Sequence, residues 1–463
     1  MANIIGLLDI GRNALLTHQR AIHTTGHNIA NVNTPGYTRQ RVNLAATAPM
    51  DSSPGQMGNG VTASEVQRIY DRYVNDQINA GQHDLGRWQT QRNTLERVEL
   101  TFDETVGFSL NQAMTEYWNS WQALSNNPEG HTERVSLISK GDALATAFNQ
   151  MSKDMRQQQR DIDAGIQVAV GEINALSTEI AQLNQKISAV EIGGQNANDL
   201  RDSRDLVVKQ LSEMIDVHTY EDGQGRVAVS LADGHPLVEG PHVWNLATQP
   251  NAAGHLDIVW TDSGGSTVDI SANIRGGKLK GWLEVRDVGI PDYLTRLDDL
   301  ANGIVTEVNN LHTGGFDLNA VAGEAFFTGT TAADIGININ IRSDPNRIAA
   351  ASTAAGVPGD NSNAINIAGL QHAAVMGGGT ATYDDFYRSL VTDVGNQVQS
   401  AIGYADHQAV MVTSLENYRE SISGVSLDEE MLNLIKFQHA YDAAAKLVST
   451  VDEMINTVMN MTR

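Results

Sequence analysis

The chain is without cysteine, poor in aromatic residues and short of positive charge. Because none of its 463 residues is cysteine, a disulfide scaffold, a thiolate nucleophile and a cysteine-ligated metal are excluded. Lys and Arg number 31 against 55 Asp and Glu, a net charge of -24, which argues against a protein that coats nucleic acid or an anionic membrane. The hydrophobic share of 41% is ordinary for a folded chain, and the length predicts two to four domains.

No segment has the pattern of a membrane anchor or a cleaved export signal. Residues 1–9 carry no basic cluster, and Asp9 interrupts their apolar run. No stretch approaches the roughly 18 apolar residues of a membrane-spanning helix. We therefore expect neither membrane insertion nor a cleaved signal peptide.

Catalytic and metal-binding motifs are also lacking. The sequence has no Gly-x-Ser-x-Gly elbow and no phosphate-binding loop. His23 and His27 stand at the four-residue spacing of a metal pair, but no third ligand lies near them in sequence, which favours a polar helix face. The prediction is a protein that is not an enzyme and that holds no cofactor or metal.

Heptad spacing marks both ends of the chain. It predicts two helices, about 40 and 50 Å long, with narrow apolar stripes that suit a coiled coil. Residues 1–45 have a net charge of +3 and residues 421–463 one of -3, which favours pairing of the two ends. Ser426 and Glu429 form a capping box for the second helix, and the acidic residues 428–430 are interpreted as solvated charges at its start. The predicted interface residues are Leu8, Leu15, Ile22, Ile29, Leu427, Leu434, Tyr441, Val448 and Ile455.

The middle of the chain is predicted to be a long helical bundle with a β insertion. Helical periodicity covers 85–100, 111–125, 131–160, 166–190, 199–215, 294–311 and 391–415, and alternation of period two marks the insertion. The fold class is thus mainly α with a small outer β domain, in an elongated multi-domain protein. The predicted domains are 1–36 with 421–463 (terminal coiled coil), 37–216 with 286–420 (helical body, with an irregular segment near 315–382 containing a strand at 335–341) and 217–285 (β domain).

A sharp turn is predicted where the first helix ends. The residue before Pro35 is pushed out of helical geometry, and Pro35 with Gly36 fits the two central positions of a type II turn. Turn chemistry alone indicates only a helix terminator. The residues of this junction are Asn28, Ile29, Ala30, Asn31, Thr34, Pro35, Gly36 and Tyr37.

This junction string, read from His27 to Gln40, resembles the start of the axial proteins of the bacterial flagellum: rod, hook and hook-associated proteins. Residues 423–431 and 441–446 resemble the C-terminal signature of the same family. Three internal stretches, 198–205, 277–287 and 344–361, resemble the hook-associated members that join hook to filament. The resemblance is weakest across about 220–275.

The resemblance implies a structural subunit of a tubular lattice, with the terminal coiled coil on the inner wall and the β domain outside. It also implies assembly with copies of itself, with the hook protein and with the next hook-associated protein. Export without a cleaved signal, an export chaperone at the last helix and an extracellular location are implied as well. The alternatives are a hook or distal-rod subunit, which lacks the long helical stretch at about 80–215, and an unrelated secreted coiled-coil adhesin.

Overall fold

A computed structural model describes residues 2–52, 55–102 and 109–461. Helices dominate it, as the periodicity predicts. Short 3₁₀ turns at Leu100–Phe102, Ser271–Asn273, Pro345–Arg347, Ala354–Gly356 and Leu370–His372 and a π-helical turn at Val285–Gly289 join them. The helices are α1 (Ala2–Ala30), α2 (Arg72–Glu99), α3 (Leu110–Asn126), α4 (His131–Glu191), α5 (Asn198–Met214), α6 (Gly277–Glu284), α7 (Ile290–Gly314), α8 (Ile339–Ser343), α9 (Ser362–Gly369), α10 (Tyr383–Ser423) and α11 (Leu427–Met461). Met1, Thr462 and Arg463, the outermost residues of the predicted terminal pair, lie outside the described residues.

The strands are short and pair antiparallel in five small sheets within the described residues. Two of the sheets, with strand orders β5-β6-β7-β8 and β11-β10-β9, make up the β insertion. The strands are β1 (Gln40–Ala46), β2 (Met50–Ser52), β3 (Gly55–Met57), β4 (Val61–Arg68), β5 (Val217–Glu221), β6 (Val227–Leu231), β7 (Pro236–Glu239), β8 (His242–Val243), β9 (Leu246–Pro250), β10 (Leu256–Thr261), β11 (Thr267–Asp269), β12 (Phe327–Thr328) and β13 (Gly336–Ile337).

Helix α4 is one continuous element of 61 residues where the periodicity predicts two tracts. Single glycines inside it are tolerated because each costs only about 1 kcal/mol relative to alanine. One of them, Gly165, leaves room for the Trp282 ring of α6, 3.4 Å from where a Cβ would lie. The helix ends just before Gly193, as the sequence predicts. Its heptad residues Ile166, Ile173, Ile180 and Ile187 are all fully buried.

Three local predictions fail. Residues 277–284, which the period-two pattern places in the β domain, form α6 and pack on α2. The alternating isoleucines at 335–341 continue as a strand only to Ile337, because the Asn338 side chain accepts a hydrogen bond from Asn340 N and caps α8. The strands at 40–68 have no counterpart in the predicted helical body. A short period-two signal is present in β4, where Val61 and Ala63 are half-buried and Thr62 and Ser64 exposed, but Glu65 interrupts it.

The main core lies between α3, α4, α7 and the 315–382 segment. Trp118 and Trp121 belong to this core, since both are almost fully buried. Tyr117 and Phe326 pack between them, with ring centroids 6.1 Å apart. Phe327 and Tyr383 complete this aromatic cluster, in which each ring buries a large apolar surface.

The free energy of unfolding of this core is expected to decrease as the pH is lowered from 6.5 to about 4. His312 is fully buried, its Nδ1 lies 2.5 Å from Glu324 O, and its Nε2 accepts from Ala349 N. Burial lowers the pKa of His312 to about 4. The neutral ring therefore stabilises the fold above pH 6.5, and this contribution, about 3 kcal/mol, is lost as the pH falls toward 4.

Urea unfolding of the wild type and of His312→Gln at several pH values measures the effect. The variant is less stable at pH 7 and loses less stability on acidification. Equal slopes for the two proteins would contradict the assignment to His312. Burial also lowers the pKa of His83 to about 4. Because both proteins contain His83, its contribution to the two slopes is the same.

Candidate assembly interface

The two terminal helices pack against each other in antiparallel orientation. Gly11 of α1 lies against Val448 of α11, the His18 ring lies 6.3 Å from the Phe437 ring, and Asn28 contacts Glu430. The numbers rise along α1 as they fall along α11. The predicted pairing of the two ends is confirmed as a feature of the fold.

Small side chains allow a close approach of the two helices. A Cβ on Gly11 would lie 2.6 Å from Val448 Cγ2, closer than any stable contact. Ala21 and Ala444 are buried on the same faces. Because glycine and alanine project little, the two helix backbones come nearer than leucine-rich seams permit.

The predicted stripe on α1 is only partly buried in the single chain. Leu8, Leu15, Ile22 and Ile29 are all half-buried, whereas Gly11, Ala21, Thr25 and Asn28 are buried. On α11, Leu434, Val448 and Ile455 are half-buried, while Leu427 and Tyr441 remain exposed, at 47% and 36%. A periodicity locates an apolar stripe, but which neighbour covers it depends on the third element packed on the helix.

That third element is the β1–β4 hairpin. Thr17 Oγ1 donates to Val61 O at 3.3 Å, and Gly60 packs closely on Ile10. The hairpin covers a different face of α1 from the one that α11 covers. Helix α1 therefore lies between α11 and a small sheet, which widens its buried surface.

The turn after α1 has the predicted geometry. Tyr37 N donates to Thr34 O at 3.2 Å across Pro35 and Gly36, and Gly36 has φ 78°. A Cβ on Gly36 would lie 3.3 Å from Leu206 Cβ of α5. Glycine is thus required both by the positive φ and by the close packing of the turn on the helical body.

Asn28 uses its whole side-chain amide to hold the chain after this turn. Its Oδ1 accepts from Tyr37 Oη at 2.7 Å and from Gln40 N at 3.0 Å. Its Nδ2 donates to Gln40 O at 2.8 Å and to Glu430 Oε2 at 3.0 Å. Both functional atoms are buried and satisfied, so the amide fixes the direction of the outgoing strand. Nearby, Asn31 Oδ1 accepts from Thr34 Oγ1 at 3.0 Å, which holds the turn itself.

Glu430 is not the solvated charge that its place among the acidic residues 428–430 predicts. It is 2% exposed and accepts from Arg39 Nε at 2.7 Å as well as from Asn28. The neighbouring Glu429 also accepts a hydrogen bond from Arg39, from Nη1 at 2.6 Å, but its side chain stays largely exposed. The missed signal is position: Glu430 lies three residues after Leu427 and four before Leu434, on the apolar seam.

Helix α5 closes the junction from the side of the body. Asp202 accepts from Thr38 N at 2.8 Å and from Arg68 Nη1 at 2.9 Å. Asp199 accepts from Gln40 Nε2 at 2.6 Å and lies 3.2 Å from His27 Nε2. Segments 27–40, 199–205 and 423–430, far apart in sequence, therefore meet in one polar network that sets the angle between terminal pair and body.

Electrostatics at the junction reflect this convergence of carboxylates. Burial raises the pKa of Tyr37, with Asp199, Asp202 and Glu430 adding to the effect. Burial also raises the pKa of Asp202, although hydrogen bonds from Thr38 and Arg68 oppose it. The phenol stays protonated and donates to Asn28, while Arg39 and Arg68 compensate the carboxylates.

His27, one member of the candidate metal pair, makes other contacts. His27 is engaged with Asp199 and stacks edge-on against Tyr37, with 5.6 Å between centroids. Over residues 2–52, 55–102 and 109–461, no three His, Cys, Asp or Glu side chains converge to hold a metal ion. In the same part of the chain, no helix is long and apolar enough to cross a membrane.

The terminal pair leaves many large apolar side chains exposed. At the start of α11 these form a ridge, with Met431 and Ile435 exposed at 57% and 48%. Further along, exposed residues recur every seven positions. The full set on α11 is Leu427, Met431, Leu432, Ile435, Tyr441, Leu447, Met454, Val458, Met459 and Met461. A single chain does not bury these residues, and an exposed patch of this extent marks an interaction surface.

Family models match the centre and both ends of the chain. The flagellar hook-associated protein FlgK helical domain matches residues 95–327. The model described as flagella basal body rod protein matches residues 8–38, and the flagellar basal body rod FlgEFG protein C-terminal model matches residues 419–461. The two rod models thus cover the paired terminal helices.

Curated relatives match along the whole length. Flagellar hook-associated protein 1 of Bacillus subtilis is 31% identical, over 98% of this chain and 97% of its own. The Escherichia coli protein of the same name is 27% identical over the full length of both. A solved structure of the flagellar hook junction protein FlgK from Burkholderia pseudomallei has the same fold, with a TM-score of 0.68 over 75% of this chain and all of that one, at 16% identity.

Rod-type ends paired around a long helical body define an axial structural protein of the bacterial flagellum. Within that class, the chain belongs to the flagellar hook-associated protein 1 (FlgK) family. It is therefore a hook-associated structural subunit of the junction between hook and filament. The match at 95–327 sets aside a hook or distal-rod subunit, and the matched ends set aside an unrelated adhesin.

Proposed function

We propose that copies of this chain assemble side by side through the uncovered faces of α1 and α11, and so build a tube between hook and filament. The observation that carries the proposal is the set of large apolar residues left exposed on α11 by a helix pair whose own contact face is made of small residues. Complete burial of an exposed side chain of this size contributes about 1.5–3 kcal/mol, and these partly exposed residues contribute a share of that on assembly.

The neighbours in this proposal are copies of the same chain within the ring, the hook protein below and the next hook-associated protein above. The membership of the family supports all three. Before assembly, the apolar face of α11 would be in contact with water. An export chaperone that binds this face would cover it until the subunit reaches the assembly. Export without a cleaved signal and a location outside the cell belong to the same proposal.

Two charges on the ridge of α11 test the assembly surface. The double variant Met431→Glu with Ile435→Glu places carboxylates on exposed positions, so the free energy of unfolding of the monomer stays within about 0.5 kcal/mol of the wild type. Incorporation into flagella is expected to fall below a tenth of the wild-type level. Motility in soft agar and immunogold labelling at the hook tip measure it.

Ser449→Glu is the control, since it adds a carboxylate at an exposed polar position of the same helix. It should leave incorporation unchanged. Normal incorporation of the double variant would rule out the ridge as a contact between neighbours. A lowered unfolding midpoint would instead show that the ridge belongs to the fold of the monomer.

A further inference from the structure

Methionine is the only source of sulfur in this chain, which has 13 methionines and no cysteine. Five of the methionines are buried in the helical body, at 7% exposure or less, where close packing shields the thioether from a dissolved oxidant. These five are Met114, Met151, Met155, Met214 and Met376. Oxidation of the folded chain is therefore directed to the methionines at its surface.

The exposed methionines are concentrated on α11. Within the described residues, seven methionines are 40% exposed or more: Met50, Met57, Met411, Met431, Met454, Met459 and Met461. The last four lie on α11, a helix of 35 residues. No other helix of the described chain carries more than one thioether that is exposed to this extent.

These thioethers form part of the exposed apolar surface of α11. Met431 stands in the ridge beside Ile435, and Met454 and Met461 continue from Leu447 at seven-residue spacing. Methionine suits such a surface because its flexible, polarisable side chain adapts to the shape of a contact. The same sulfur atom makes the surface sensitive to peroxide, to which leucine and isoleucine are inert.

We propose that α11 is an oxidation site, at which hydrogen peroxide converts the methionines of the free subunit to sulfoxides and thereby stops its assembly. In each event the sulfur attacks one peroxide oxygen, so that an S–O bond forms and the O–O bond breaks. The proton of the transferred oxygen moves to the departing hydroxide, which leaves as water. The sulfur is oxidised by two electrons and the peroxide is reduced by two. No thiolate of this chain consumes the oxidant first, since cysteine is absent.

Oxidation places a polar group on an apolar contact surface. The sulfoxide oxygen accepts hydrogen bonds from water, and burying it against an apolar partner without a donor costs free energy. This consequence rests on the proposed function, because it requires that assembly buries the surface of α11. The fold of the single chain is not affected, since the modified side chains face solvent and the five methionines of the body are shielded.

Peptide mass spectrometry after a brief treatment of the purified chain with hydrogen peroxide locates the sulfoxides. Met431, Met454 and Met461 are each expected to gain one oxygen, while Met155 and Met214 remain unmodified. The thermal midpoint of the chain should stay unchanged. Oxidation of the buried methionines as fast as of those on α11 would overturn the inference.

Binding to isolated hooks measures the effect on assembly. Hooks from a strain that lacks this chain are incubated with treated or untreated subunit after catalase has removed the peroxide, and the chain that sediments with them is quantified by immunoblot. Oxidation is expected to lower the bound amount about tenfold. Reduction of the treated subunit by two methionine sulfoxide reductases, one for each sulfoxide epimer, should restore binding. Binding that stays low after complete reduction would overturn the inference.

Leucine variants identify the methionines responsible. Leucine is close to methionine in volume and apolarity but has no sulfur. The variant that should bind hooks equally well before and after peroxide treatment combines Met431→Leu, Met454→Leu, Met459→Leu and Met461→Leu. Met50→Leu with Met57→Leu removes two exposed thioethers outside α11 and is the matched control, which should remain sensitive to peroxide. Equal sensitivity of the two variants would overturn the inference. If the α11 variant itself binds poorly, the reductase experiment on the wild type decides the question.

The charged variant Met431→Glu with Ile435→Glu separates this inference from the proposed function. Normal binding of the oxidised wild type, together with lost binding of the charged variant, overturns the oxidation site and leaves the proposed function standing. Normal binding of the charged variant overturns the proposed function, and the inference that rests on it falls as well. Loss of binding in both cases, with rescue by the reductases, supports the two together.

Discussion

Replacing Gly11 with leucine is expected to separate α1 from α11 and to abolish incorporation into the flagellum. A Cβ at this position would lie 2.6 Å from Val448 Cγ2 and 3.9 Å from Ala444 O, so the helices must move apart along several turns. Overpacking of this kind costs about 1–3 kcal/mol at one site. Because small residues form the contact between these two helices, a change in their separation at Gly11 also weakens the neighbouring contacts.

Gly26→Leu is the matched control on the same helix, since no atom lies within 4 Å of where its Cβ would be. Hydrogen exchange of the purified chain distinguishes the two variants. Residues of α1 and α11 should exchange much faster in Gly11→Leu, while α4 keeps its protection. Unchanged exchange in α11 would show that Val448 moves aside and that the close approach is not essential.

Glu430→Ala is expected to destabilise the junction far more than Glu429→Ala, although both side chains contact Arg39. Glu430 is buried, and its loss leaves Arg39 Nε without its acceptor and leaves Asn28 Nδ2 with Gln40 O alone. Removing one partner of a buried pair costs about 3–5 kcal/mol. Glu429 is exposed, and a surface ion pair contributes only about 0–1 kcal/mol.

Urea unfolding followed by a probe on α11 measures the difference between the two variants. We expect Glu430→Ala to lose the terminal pair at a lower urea concentration than the body, and cells carrying it to be non-motile. Glu429→Ala should behave like the wild type. Similar losses for the two variants would contradict the distinction between a buried and a solvated carboxylate.

Periodicity and turn chemistry predict most of the architecture because they depend on neighbours in the chain. The buried isoleucines of α4, its end before Gly193, and the turn at Pro35 and Gly36 all follow from local rules. The failures lie where local rules are ambiguous. Asn338 ends a strand pattern by capping α8, and the apolar alternation of the strands in residues 40–68 is too short to stand out.

The candidate site is predictable to a smaller extent. Heptad spacing locates the apolar stripes on both terminal helices. It does not reveal that Glu430, one of three consecutive acidic residues, is buried between those helices. Leu427 and Tyr441, predicted at the interface, are exposed in the single chain. They stay a prediction for contacts between copies, which a single chain does not contain.

By itself, the sequence determined the helical body, the two paired ends, the turn between them and the resemblance to flagellar axial proteins, since each depends on spacing along the chain. Only the tertiary structure decided that Asn28, Asp202 and Glu430 meet at one junction, and that α11 keeps a ridge of exposed apolar residues. The physical reason is that burial of a polar group depends on partners supplied by distant segments, and no local pattern encodes which segments will meet.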